Sequence, residues 1–225
     1  MEYVLDMKDN LDILYEDNHI IVVFKPCNIL SQSDSTKDID MLTIIKKYIK
    51  EKYQKKGNVY LGLVHRLDRP TSGIMVFAKT SKAASRLCKE INDKKFVKKY
   101  LALVTGILDK KEDTLENYIK KVNNNSIITT KEEGKYALLD YKVIKEIDNL
   151  SLVDITLHTG RHHQIRTQFA GIGHPLYGDQ RYGIENRKQL ALCAYHLEFI
   201  HPVTKENLVF EKLPSGDIWN KFLKN

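Results

Sequence analysis

Apolar residues along this chain come in short runs separated by polar clusters, and most of the runs have the length of a strand. Residues 13–15 and 20–25 flank the polar stretch Glu16-Asp17-Asn18-His19, a strand–turn–strand pattern that Lys25-Pro26 closes. Residues 28–40 are rich in Ser, Asp and Thr and predict a loop. Leu42, Ile45, Ile49 and Tyr53 then recur at helical spacing, with Lys46, Lys47, Lys50 and Lys52 falling largely off that stripe. The runs 61–64 and 74–78 predict two strands joined by a tight loop. Ser81 is placed to cap a helix with Ala84, Leu87, Cys88 and Ile91 on one face. Lys94, Lys95, Lys98 and Lys99 lead into an apolar strand at 100–104. Residues 109–135 are polar and predict an exposed, irregular hairpin region, followed by strands at 136–144 and 152–157. A short helix is expected over 161–172, stopped by Gly173 and Pro175.

Strands and helices therefore alternate without a regular βαβ rhythm, and there is no internal repeat and no long flexible linker. The expected class is α+β, a mixed, largely antiparallel central sheet flanked by helices and loops. At 225 residues the chain is long enough for one well-cored domain, or two small ones. Its 42% apolar and 29% charged residues are those of an ordinary soluble globular protein. A net charge of +7 suits a polyanionic partner without demanding one. Met1-Glu2-Tyr3-Val4-Leu5-Asp6 has neither the basic nor the apolar region of a signal peptide, and no apolar run is long enough to span a bilayer. Cys27, Cys88 and Cys193 lack a paired spacing and are expected to be reduced and mostly buried, as in a cytoplasmic protein.

The densest chemistry lies in His65-Arg66-Leu67-Asp68-Arg69-Pro70-Thr71-Ser72-Gly73. One carboxylate sits between two arginines, which favour its ionised form, and the small residues after it suit a turn. Two readings are open for Arg-x-Asp-Arg in isolation: an ion-pair knot that orders a turn, or a carboxylate presented for reaction.

The full nine-residue string closely resembles the signature loop of the RluA-like pseudouridine synthases, which isomerise uridine to pseudouridine in RNA. The resemblance runs over nearly the whole chain. Ile21-Val22-Val23-Phe24-Lys25-Pro26 is similar to the family's strand ending in Lys-Pro, with Asn28 where the family usually has Gly. Asn tolerates a left-handed backbone better than other non-glycine residues, so the turn is expected to survive. Lys99-Tyr100-Leu101-Ala102-Leu103-Val104-Thr105-Gly106 is similar to the family's Tyr-x-Ala-x-Val-x-Gly strand. Thr159-Gly160-Arg161-His162-His163-Gln164-Ile165-Arg166 and Gly173-His174-Pro175-Leu176-Tyr177-Gly178-Asp179 are similar to its last two motifs. A run from Leu190 to His196 resembles the family's Leu-x-Leu-His-Ala, with Cys193 at the usual His.

By that resemblance Asp68 is the essential catalytic residue, Tyr100 the aromatic that stacks on uracil, and Arg166 the basic partner of the carboxylate, with Arg161 competing for that last role. The same resemblance puts Arg66, Arg69, Arg161, Gln164, Leu192 and Lys25 on the substrate side, although Leu192 also reads as plain core. His158, His162 and His163 invite a metal reading, but Thr159-Gly160 interrupts their spacing and no nearby carboxylate or Cys completes a ligand set. No metal and no cofactor is expected. The resemblance implies one catalytic domain over 1–225, without the small N-terminal RNA-binding domain of many relatives. The chain is expected to act as a cytoplasmic monomer on ribosomal or transfer RNA, with no membrane partner. Whether Asp68 forms a covalent adduct or moves a proton stays open. The alternative is an RNA-binding module of the same fold that has lost catalysis, which would show a damaged Asp68 constellation.

Overall fold

A computed structural model of the chain describes residues 11–183 and 188–224. The reading of Met1 to Asp6 as free of a signal peptide lies outside the described residues. Among these residues there are eleven strands and four helices. They cluster into two compact units, one built from the chain up to Phe96 with His196–Lys212, the other from Val97–Tyr195 with the segment after Leu213.

In the first unit, β1 (Ile13–Glu16) and β2 (Ile20–Lys25) form the expected hairpin. The Asp17 carboxylate makes its turn by accepting from the N–H groups of His19 and Ile20 at 2.7 and 2.8 Å. β2 runs antiparallel to β4 (Ser72–Ala78), and β3 (Gly62–Leu63) pairs with the far end of β4. Every residue of β4 is buried, which is why its sequence is a continuous apolar run without alternation. Helix α1 (Met41–Lys52) is capped by Asp40, whose carboxylate accepts from Thr43 N–H. Its buried face is Met41, Ile44, Ile45 and Ile49. The expected stripe was therefore rotated: Leu42 is half-buried, and Tyr53 is exposed at the C-cap, its hydroxyl donating to Glu16. Helix α2 (Ser81–Asn92) is capped by Thr80, not Ser81, through a bond from Ala83 N–H at 3.1 Å. It buries Ala83 and Leu87, whereas Cys88 points outward. Cys27 is half-buried, so of the three thiols only Cys193 meets the expectation of burial. Strand β11 (Asn207–Glu211) and the part of β10 (Leu192–Ile200) from His196 onward pair antiparallel in this unit, from His196↔Glu211 to Ile200↔Asn207. The stacked rings of Phe96 and Phe199 join Val22, Val76 and Leu87 in this unit's core.

The second unit is an antiparallel sheet in the order β5 (Val97–Thr105), β9 (Leu150–Leu157), β8 (Lys135–Ile147), β6 (Glu112–Val122), β7 (Asn125–Thr129). The stretch expected to be irregular is thus mostly a regular ribbon. β6 buries Leu115 and Ile119 and leaves its charged residues to solvent. Two-residue turns of Asn and Asp close both hairpins, with Asn123 at φ 53 in one and Asp148 and Asn149 at φ 48 and 59 in the other. Helix α3 (Gln164–Gly171) starts three residues later than its sequence pattern suggests, because His163 adopts a left-handed backbone, φ 53, just before it. A last helix, α4 (Asp217–Leu223), buries Trp219 and Phe222 and was not foreseen; seven residues offer too few turns to show a period. The architecture is α+β with a largely antiparallel sheet. Among the described residues no helix is long and apolar enough to cross a membrane.

Candidate active site

Asp68 lies on the loop between β3 and β4, half-buried, and the backbone around it is pinned at successive points. His65 opens the loop by accepting the Val76 N–H on Nε2 at 3.1 Å, which requires that nitrogen to be unprotonated. Leu67 is buried, and the Ser31 hydroxyl holds both of its backbone groups: it accepts from Leu67 N–H at 3.1 Å and donates to Leu67 C=O at 2.7 Å. The carbonyl of Asp68 accepts from Thr71 N–H at 3.0 Å. The carbonyl of Arg69 accepts from Asn28 N–H at 2.8 Å and from the Lys25 ammonium at 3.1 Å. Asn28 has φ 66, so it does carry the left-handed position where glycine is usual.

The arginines of the loop are exposed. The Arg69 guanidinium bonds the Asn28 carbonyl through Nε and pairs with Asp38 at 2.7 Å. Lys25, expected on the RNA, is fully buried, and its ammonium donates to the carbonyls of Pro26, Ile29 and Arg69. In this structure it therefore orders the loop from inside, since a buried ammonium must be surrounded by acceptors. Burial pushes its pKa down to about 7, against the opposing pull of Cys27 and Asp68, with Arg69 adding to the drop.

In the second unit, Tyr100 is buried in β5 opposite Ile155. Arg166, on α3, is 3% exposed and forms a two-bond fork with Asp179: Nε to Oδ2 at 2.8 Å and an Nη to Oδ1 at 2.7 Å. The Tyr182 ring lies 5.1 Å from the guanidinium carbon. Burial would raise the Asp179 pKa, but Arg166 and the N–H groups of Arg181 and Tyr182 outweigh it and hold the carboxyl below its ordinary value. Asp179 had no role in the sequence reading; its position within Gly-His-Pro-x-x-Gly-Asp was the available signal. Gly178 before it has φ 75, and a Cβ there would meet the Gln189 carbonyl at 2.2 Å, so only glycine fits this turn.

With both sets of residues in place, the comparisons with known proteins decide the family. The pattern of the RNA pseudouridylate synthases matches residues 19–171. An uncharacterized RNA pseudouridine synthase of Aquifex aeolicus is 36% identical over 92% of this chain and 71% of its own. The chain belongs to the RNA pseudouridine synthases. It is an isomerase of RNA uridine. The ribosomal large subunit pseudouridine synthase C of Buchnera aphidicola from Schizaphis graminum is also 36% identical, over 92% of this chain and 68% of its own. In fold, the chain is similar to human RNA pseudouridylate synthase domain containing 4, with a TM-score of 0.78, 22% identity and 94% of each chain covered.

The remaining residues of this pseudouridine synthase's motifs fall as follows. Arg161 precedes α3 instead of starting it; its Nε donates to the Tyr136 carbonyl at 2.7 Å. Gln164, expected on the RNA, is buried and acts as a backbone clamp: Oε1 accepts from Thr159 Oγ1 and Arg161 N–H, and Nε2 donates to Leu138 C=O. Leu192 is buried, as either a pocket wall or a core residue would be. His158 bonds Asp140, while the rings of His162 and His163 stack with centroids 3.8 Å apart and bond Ser126 and Tyr182 respectively. Among the described residues no three His, Cys, Asp or Glu side chains are grouped to hold a metal ion.

Proposed function

We propose that this pseudouridine synthase acts on large-subunit ribosomal RNA in the cytoplasm, with Asp68 as its catalytic carboxylate. The substrate class is favoured by relatives named ribosomal large subunit pseudouridine synthases C and D, at 31 to 36% identity. The reaction breaks the glycosidic bond, turns the uracil and rejoins ribose to carbon-5. It involves no redox change and no external nucleophile, so our reading includes no cofactor. A uridine inside folded RNA must first leave its stack, at a cost of roughly a few kcal/mol. Basic side chains such as Arg66 and the exposed Lys46, Lys47 and Lys50 of α1 offset that cost by gripping phosphates.

The observation that carries the assignment of Asp68 is the pinning of the backbone on both sides of it, by Ser31 and Thr71. A reacting carboxylate gains from a fixed position, whereas a surface ion pair does not require one. Tyr100 and Arg166 are assigned to the same reaction by their motif positions, the ring for stacking on uracil and the guanidinium for holding charge. The test of the substrate is site-resolved mapping of pseudouridine in RNA from a strain lacking this gene. Loss of one or a few sites in large-subunit ribosomal RNA, restored by the wild-type gene, supports the reading. Loss confined to transfer RNA would replace it.

A further inference from the structure

The loop bearing Asp68 is held by a residue that none of the motifs singles out. Ser31 lies in the Ser- and Asp-rich stretch after β2, is 5% exposed, and touches no charged group in the contacts described above. Its single hydroxyl bonds both backbone groups of Leu67, the residue immediately before Asp68. In an antiparallel ladder a facing residue would supply that pair of bonds through its own N–H and C=O. Here one side-chain oxygen supplies both, so the loop can leave the ladder and still have these groups satisfied. The hydroxyl has only one proton. It goes to the Leu67 carbonyl at 2.7 Å, because the Met75 thioether at 3.7 Å is a weak acceptor.

The consequence for Asp68 is geometric. The Leu67 carbonyl belongs to the peptide plane before the Asp68 Cα, and the Asp68 carbonyl to the plane after it. Ser31 fixes the first and Thr71 N–H fixes the second. The orientations of those two planes are the φ and ψ of Asp68, and so set where its carboxylate starts from. We propose that Ser31 is a positioning residue for Asp68: it sets the backbone of the reacting residue without touching substrate. This rests on the reading of Asp68 as the catalytic carboxylate.

The test compares Ser31→Thr with Ser31→Val, which have nearly the same shape and differ in the hydroxyl. Single-turnover conversion of uridine is followed on total RNA from the gene-deletion strain, with enzyme concentration varied to separate the saturating rate from half-saturation. The melting temperature of each variant is recorded, and rates are taken well below it. Ser31→Thr should keep the saturating rate within about threefold of wild type. Ser31→Val should lower it roughly ten- to a hundredfold, the scale of a misplaced reacting group, with half-saturation little changed. Equal rates for the two variants, whether fast or slow, would overturn the proposal, since packing and not the hydroxyl would then matter. A Val variant that loses RNA affinity and keeps its saturating rate would also overturn it. Asp68→Asn is run alongside: activity in that variant would mean that the reading of Asp68 itself has failed, independently of the Thr–Val comparison.

Discussion

Arg166 and Asp179 meet as a buried fork, two parallel N–H···O bonds of 2.8 and 2.7 Å between side chains thirteen positions apart. The same Oδ1 that takes the Arg166 Nη also accepts from the N–H groups of Arg181 and Tyr182, so the carboxylate both fixes the guanidinium and gathers the 179–182 turn. Fork geometry makes the pair specific to arginine.

Asp179→Asn should therefore destabilise the protein by about 3–5 kcal/mol, the usual result of leaving one buried charge without its partner. Arg166→Lys, which keeps the charge and loses the fork, should lower the single-turnover rate on RNA. A double variant, Asp179→Leu with Arg166→Met, should cost less stability than the two single changes added together. Urea unfolding of wild type, Asp179→Leu, Arg166→Met and the double variant measures this, and simple additivity would contradict the coupling.

A second expectation concerns pH. Glu16 is half-buried with its side chain 7% exposed, which by itself would raise its pKa, but bonds from Lys52, Lys79, Tyr53 and Tyr48 bring it down to about 2. Because the folded value lies below the ordinary one of 4.5, the stabilisation is complete above pH 4.5 and is lost as pH falls toward 2. At about 1.4 kcal/mol per unit the shift is worth on the order of 3 kcal/mol. Glu16→Gln should thus be less stable than wild type by about that much at pH 7, with the gap closing by pH 2. Unfolding curves at pH 7, 4 and 2 test it; a gap that stays constant would contradict the assignment.

Tyr100 is buried except for a small part of its surface, which is compatible with packing and with presenting a ring to a base. The stacking role predicts that Tyr100→Phe binds RNA like wild type, while Tyr100→Ala weakens binding by about 1–3 kcal/mol. Filter binding to substrate RNA together with single-turnover rates separates ring from hydroxyl. An alanine variant with wild-type rate and affinity would leave Tyr100 as packing only.

What was legible in the sequence was whatever is encoded locally. The bounds of β2 match because an apolar run meets Lys25-Pro26, and the left-handed Asn28 could be anticipated from its side chain. The ribbon of β6 and β7 was missed because it buries only three of its sixteen strand residues, and its turn signal, Asn123-Asn124-Asn125, reads equally well as irregular loop. Lys25 and Gln164 are placed on the substrate side by their positions in the motifs, which carry no sign of burial; that burial depends on carbonyls supplied by distant segments, Arg69 for one and Leu138 for the other. The Arg166–Asp179 fork and the Ser31–Leu67 clamp are contacts across 13 and 36 positions, and no period or propensity reports such pairs.

The central claim is that Asp68 performs the chemistry, and Asp68→Asn tests it most directly. The amide keeps the size of the side chain and its hydrogen bonding but cannot act as nucleophile or base. Purified wild type and variant are mixed in excess with RNA from the gene-deletion strain, and pseudouridine is quantified over time at the sites the wild type modifies. The account predicts no conversion by Asp68→Asn at any time when wild type has gone to completion, with RNA affinity within a few-fold. Pseudouridine formation by the variant at anything near the wild-type rate would contradict it.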